Sequence, residues 1–132
     1  MADSIVQTRS NYFRVRTVRN FRQFCTRYGL TVVRTGEDRK YRYGFLADGP
    51  LPTGCLDSKG EWIETDFLGE LSRLLAPREV AVVMEVGNEK MRDLGGYAAA
   101  VNARGERVQI ALSDIYRRCQ EMFGIQPTRV EY

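Results

Sequence analysis

The chain has 132 residues, with 20 Lys plus Arg against 17 Asp plus Glu, 43% hydrophobic residues and no histidine, a balance that fits one compact domain. Without histidine there is no Ser-His-Asp or Cys-His system, no histidine metal site and no general base of the commonest kind near neutral pH. The formal charge of +3 hides an asymmetry: up to Tyr43 there are 10 basic and 3 acidic residues, a net of +7, and beyond it 10 basic and 14 acidic, a net of −4.

Residues 1–9 are polar and are expected to be flexible. Residues 10–16 (SNYFRVR) set Tyr12, Arg14 and Arg16 against Phe13 and Val15, the alternation of a half-buried strand. From Thr17 the period changes, with Val18, Phe21, Phe24, Cys25 and Tyr28 forming a helical stripe, Thr17 at the N-cap and Gly29 at the left-handed C-terminal position. Residues 30–34 and 40–46 are strands about a TGED turn, the second placing Tyr41, Tyr43 and Phe45 on one face. Residues 47–60 hold three glycines and two prolines and read as a long loop, a candidate hinge or binding segment.

Asp66 or Thr65 then caps a helix whose buried stripe is Phe67, Leu71, Leu74 and Leu75, stopped by Pro77. Residues 80–86 (VAVVMEV) are nearly all apolar, which fits a central strand covered on both faces or the core-facing spine of the sheet. GNEKMRDLGG turns the chain into a strand at 97–102, ARGE makes a hairpin, and 107–112 is the return strand. Ser113 caps a last helix with Ile115, Tyr116, Cys119, Met122 and Phe123 on its apolar side and Gly124 at its end, and 128–132 add an edge strand or a docked tail. The order predicts an α+β fold, a ferredoxin-like sandwich with helices on one face of a mostly antiparallel sheet, in a single domain spanning 1–132.

Cys25, Cys55 and Cys119 form no CxxC pair and are odd in number, which suits reduced thiols packed as small hydrophobes. The opening MADSIVQTRS has no hydrophobic signal core, and no stretch reaches the ~18 to 20 apolar residues of a bilayer span. A cytoplasmic chain with no membrane association, no metal and no cofactor is therefore expected.

The strongest local feature is the basic and aromatic N-terminal unit, in which Arg14, Arg16, Arg19, Arg22, Arg27, Arg34, Arg39, Lys40 and Arg42 interleave with Tyr12, Phe13, Tyr41 and Tyr43. Arginine supplies 17 of the 20 basic residues; it also prevails in the acidic part, so the bias itself reads as genomic composition, whereas the clustering does not. Arginine forks hold carboxylates and phosphates, and aromatic sheets stack bases. The unit therefore fits an acidic protein surface, a nucleoprotein complex or single-stranded nucleic acid; the alternative is that Tyr41, Tyr43 and Phe45 simply lie beneath the helices. The RNA-recognition motif with its glycine and aromatic pattern is missing.

Other features favour structural roles. Gly95 and Gly96 match no phosphate-loop spacing and suit close backbone approach. Glu61, Glu64, Asp66 and Glu70 flank a helix start, where negative charge is favoured. Glu85 interrupts the most apolar strand and is expected to pair with an Arg; an enzyme reading would place Glu85, Glu89 or Asp93 beside the glycine turn. Trp62 is expected to close the core beneath the long loop, the alternative being an exposed partner anchor.

SNYFRV followed by FRQFCTRYGLTVV, and later LAPREVAVVMEVGNEKMRDLGGYAAAVN, resembles small proteins carried by bacterial and archaeal mobile elements. The resemblance implies an accessory protein of a plasmid or phage, a class that includes inhibitors of host defence nucleases such as anti-CRISPR proteins, and it transfers no functional residue. The expectation is a non-enzymatic binding protein that engages a large partner through Arg14, Arg16, Arg19, Arg22, Arg27, Arg34, Arg39 and Arg42 with Tyr12, Tyr41 and Tyr43. Direct nucleic-acid binding through the same surface is the alternative.

Overall fold

A six-stranded sheet carries the fold in a computed structural model that describes residues 4–37, 40–89 and 93–129. In chain order the elements are β1 (Ser4–Ser10), α1 (Val18–Arg27), β2 (Thr31–Thr35), β3 (Arg42–Asp48), β4 (Gly54–Leu56), β5 (Trp62–Glu64), α2 (Phe67–Leu74), β6 (Val80–Glu89), β7 (Asp93–Asn102), β8 (Arg107–Ala111) and α3 (Asp114–Phe123). The main sheet runs β2-β3-β1-β6-β7-β8 with antiparallel pairings, and β4 and β5 form a separate hairpin. The protein is thus α+β with an antiparallel sheet.

Register decides which side chains share a face, because successive residues of a strand point to opposite sides. Thr8 lies opposite Ala47 and Glu85, Ser10 opposite Val83, and Val83 opposite Ala99. That face also holds Tyr43, Phe45, Ala81 and Val101, all buried against Phe21, Phe24 and Cys25 of α1 and Phe67, Leu68 and Leu71 of α2. The two helices are joined by aromatic rings: Phe67 lies 5.1 Å from Phe24, 4.9 Å from Tyr28 and 5.9 Å from Phe45, and Phe21 meets Phe13 edge-on at 5.7 Å. Such pairings add directional preference to simple area burial. α3 stands apart, with no buried residue.

Several expectations are corrected. Residues 4–9, expected to be flexible, lie in β1 in the middle of the sheet. The strand expected over 10–16 is replaced by two isolated bridges, Phe13 with Tyr43 and Val15 with Leu75. The cause is Asn11, whose side chain accepts from the Val82 N–H at 2.8 Å and donates to the Val80 carbonyl at 3.0 Å, ending the β1–β6 ladder. The long loop at 47–60 is shorter than expected, since β3 extends to Asp48 and β4 pairs with β5 around a turn in which the Asp57 carboxylate accepts from the Lys59 and Glu61 amides.

The apolar strand β6 is covered on one face only: Ala81 and Val83 are buried, while Val80, Met84 and Val86 are exposed. Trp62 does not close the core; it lies over Gly54 and is 60% exposed. Thr17 and Ser113 make no side-chain cap, whereas Asp66 accepts from the Gly69 amide at 3.2 Å and caps α2. Gly95 and Gly96 lie within β7, and Gly96 leaves the space that Leu112 fills.

Candidate functional site

α1 divides cleanly between two environments. Phe21, Phe24 and Cys25 of its apolar stripe are buried while Val18 at its start is exposed, and the opposite side exposes Arg19, Arg22, Gln23, Thr26 and Arg27, as the helical period requires. A shallow depression of about 640 Å³ runs over Val18, Arg19, Arg22, Gln23, Thr26 and Arg27. A second groove, about 410 Å³, is lined by Arg14, Val15, Val18, Lys40, Tyr41 and Tyr43. Val18 is common to both, so the two form one basic surface.

Charge on this surface is largely uncompensated. Among the described residues, Arg14, Arg16, Arg19, Arg22 and Lys40 make no ion pair. The Arg22 guanidinium lies 6.0 Å from the Tyr43 ring centroid, and that of Arg34 lies 4.1 Å from Tyr41, contacts that orient the guanidinium without neutralising it. Tyr43 itself is 7% exposed, so its ring is a support for Arg22 and not an open stacking surface.

The structure brings together only part of the set read from sequence. Arg14, Arg19, Arg22, Arg34, Tyr41 and Tyr43 surround the groove, and Arg16 is exposed just before α1. Arg27 is compensated by Glu70, with 2.9 Å between Nη2 and Oε1. Arg42 alternates with Tyr43 and so occupies the open side of the sheet, away from the helices. The Tyr12 hydroxyl accepts from Arg9 at 3.2 Å, and Arg9 faces that same open side. Arg39 lies outside the described residues.

Sequence reading missed Arg73. It is exposed, makes no ion pair among the described residues, and lines a cleft of about 340 Å³ between α1 and α2 with Asn20, Gln23, Arg27 and Glu70. The available signal was its place three residues after Glu70, on the same side of α2.

The other candidates resolve into structural contacts. Burial pushes the Cys25 thiol up to about 12, far from a reactive thiolate. Glu85 has no Arg partner among the described residues; it accepts from the Leu51 amide at 2.6 Å. Burial first, and then the charge of Glu85, push the Tyr97 phenol up. Arg107 lies 2.5 Å from the Asp66 carboxylate and holds it below the usual carboxylate range. Among the described residues no group of three or more acidic or cysteine side chains converges as metal ligands would.

The chain matches no family model, no curated protein and no solved structure. No helix among the described residues is long and apolar enough to cross a membrane.

Proposed function

We propose that this is a non-enzymatic binding protein that acts inside the cell and engages an acidic protein surface through the outer side of α1 and the adjoining groove. The observation that carries the reading is the set of cations, Arg14, Arg19, Arg22 and Lys40, that make no ion pair among the described residues and line two adjoining depressions sharing Val18. Guanidinium forks bind carboxylates bidentately, arginine is enriched among the residues that carry interface energy, and a surface of one sign speeds encounter with its complement. A protein face of a nucleic-acid-processing or defence complex is a partner of this chemistry, and it is the setting that the mobile-element resemblance implies.

The aromatic residues favour a protein partner over single-stranded nucleic acid. The aromatic side chains of the main sheet's described residues, Tyr43, Phe45 and Tyr97, share the helix-covered face, which leaves no row of rings on the open face where bases would stack. The order β2-β3-β1-β6, with α1 after β1 and α2 before β6, supports reading the scaffold as a ferredoxin-like sandwich extended at one edge by β7 and β8.

The test is capture from the native host with wild type, with the triple variant Arg14→Glu, Arg19→Glu, Arg22→Glu, and with Arg42→Glu as the opposite-face control. Partner recovery should fall at least about tenfold, ~1.4 kcal/mol, in the triple variant and stay unchanged in the control. Equal recovery by the triple variant, with its fold intact by circular dichroism, overturns the reading. Nucleic acid as the sole captured species, with affinity falling steeply with salt, replaces it with direct nucleic-acid binding.

A further inference from the structure

Away from the basic surface, the chain leaves two apolar surfaces uncovered. The first is on the open face of β6, β7 and β8. There β7 contributes Gly96, Ala98 and Ala100, while β6 contributes Met84 and Val86 on one side and β8 contributes Val108 and Ile110 on the other, with Leu112 just beyond its end. Small residues form the floor and large ones the walls of an apolar trough of about 230 Å³. No charged side chain of the described residues lines it. The same face at β2 and β3 carries Thr31, Val33, Thr35, Arg42, Leu46 and Asp48, a mixture of polar and apolar side chains that contrasts with the apolar lining of the trough.

The second surface is α3. Ile115, Met122 and Phe123 are 56, 75 and 68% exposed and lie on one side of the helix at spacings of seven and eight.

We propose that the two surfaces cover each other between copies, α3 of each chain lying in the trough of a second chain to make a two-fold dimer. The dimensions fit. Walls on β6 and β8 rise from strands ~9.6 Å apart, which leaves between their side chains a slot for one row of side chains from α3, and a floor of glycine and alanine gives that slot its depth. Within one chain the start of α3 is pinned beside its own sheet, since Asp114 accepts from the Ala111 amide at 2.9 Å and the Leu112 amide donates to the Gly96 carbonyl at 2.9 Å. With only Leu112 and Ser113 between β8 and α3, the cover comes from a second copy.

The area is sufficient. Met84, Val86, Val108, Ile110, Leu112, Ile115, Met122 and Phe123 are each more than half exposed; at ~150–200 Å² for a fully exposed side chain of this size this is roughly 800 Å², the share that each partner buries in a standard interface. Exchange of α3 for trough is reciprocal, which is the requirement of a closed two-fold interface. The contact uses the open face and leaves the arginines of α1 exposed on the far side, so the dimer presents two basic surfaces.

Sedimentation equilibrium of the full chain tests this. A dimer at micromolar concentration is expected, with Ala98→Glu in the trough and Met122→Glu on α3 each giving a monomer of unchanged circular dichroism. A wild-type chain that stays monomeric toward millimolar concentration overturns the proposal, as does a dimer that survives both substitutions. Placement is tested in a Cys119→Ser background by mixing an Ala98→Cys chain with a Met122→Cys chain under mild oxidation. A mixed 98–122 disulfide is expected; a 98–98 crosslink in its place shows sheet against sheet and overturns the assignment of α3.

Discussion

Arg27 and Glu70 meet across the seam between α1 and α2 at 2.9 Å, and the Tyr28 hydroxyl donates to the same carboxylate. One acidic side chain therefore removes Arg27 from the basic face while holding the two helices in register. Substituting Glu70→Gln releases the guanidinium, so affinity for an acidic partner should rise two- to threefold by titration, an effect of ~0.5 kcal/mol. The pair is partly solvent-exposed, so the stability loss should stay below about 1 kcal/mol. Weaker binding by a folded Glu70→Gln variant would show that Glu70 belongs to the binding surface and not to its compensation.

The same contact, together with the burial of Cys25, predicts an alkaline dependence of stability. Burial first, then the hydrogen bond to Glu70, raise the Tyr28 phenol from 10.0 to about 12, and burial raises the Cys25 thiol from 9.0 to about 12. In both cases the folded state prefers the protonated form. Their stabilisation is complete below pH 9 and is lost as pH rises toward 12. Denaturant midpoints followed across this range should fall for wild type and fall less for Tyr28→Phe and for Cys25→Ala, each measured against its own value at neutral pH. Parallel curves for all three would place the alkaline sensitivity elsewhere.

The helical half of this architecture was legible in the sequence because its signals are local. The stripe Phe21, Phe24 and Cys25 is buried in α1, and Phe67 and Leu71 are buried in α2. β1 was hidden because its core-facing positions include Thr8 and Ser10. These are buried but satisfied, Thr8 donating to the Gly49 carbonyl at 2.7 Å and Ser10 accepting from the Phe45 amide at 2.9 Å, so the hydrophobic alternation that marks a strand is absent. The site shows the same division. Clustering of Arg14, Arg19 and Arg22 follows from chain proximity, while the loss of Arg27 to Glu70, 43 positions away, and the turning of Arg42 to the other face depend on tertiary pairing and strand register.

Asp66 serves two groups at once, accepting from the Gly69 amide as the cap of α2 and from Arg107 at the start of β8. Its carboxyl is held below the ordinary range, chiefly by the Arg107 hydrogen bond. The charged form is thus favoured by folding, and this contribution is present above the ordinary carboxylate pKa and lost as pH falls below it. Asp66→Asn keeps a capping oxygen but loses the charge, so it should flatten the acid limb of the stability curve by lowering stability at neutral pH toward the value at acid pH. Asp66→Ala removes the cap as well and should cost about 1 kcal/mol at neutral pH. Equal neutral-pH stability for the two variants would show that the cap contributes nothing.

Asn11 is the point where the centre of the sheet is fastened. Its side chain joins the Val80 carbonyl and the Val82 amide of β6, and its own carbonyl lies 2.6 Å from where a Cβ on Gly44 of β3 would stand. Three strands therefore meet at one residue with no spare room. Asn11→Ala deletes both side-chain bonds and should cost roughly 1–2 kcal/mol, lowering the melting midpoint by several degrees. Gly44→Ala presses a methyl group against backbone that cannot rotate away and should cost about 1–3 kcal/mol. Because both substitutions strain the same junction, their effects should not add: the double variant should lose less than the two single losses together. Strict additivity in thermal melts would separate the two contacts and show that β3 and β6 are fastened independently.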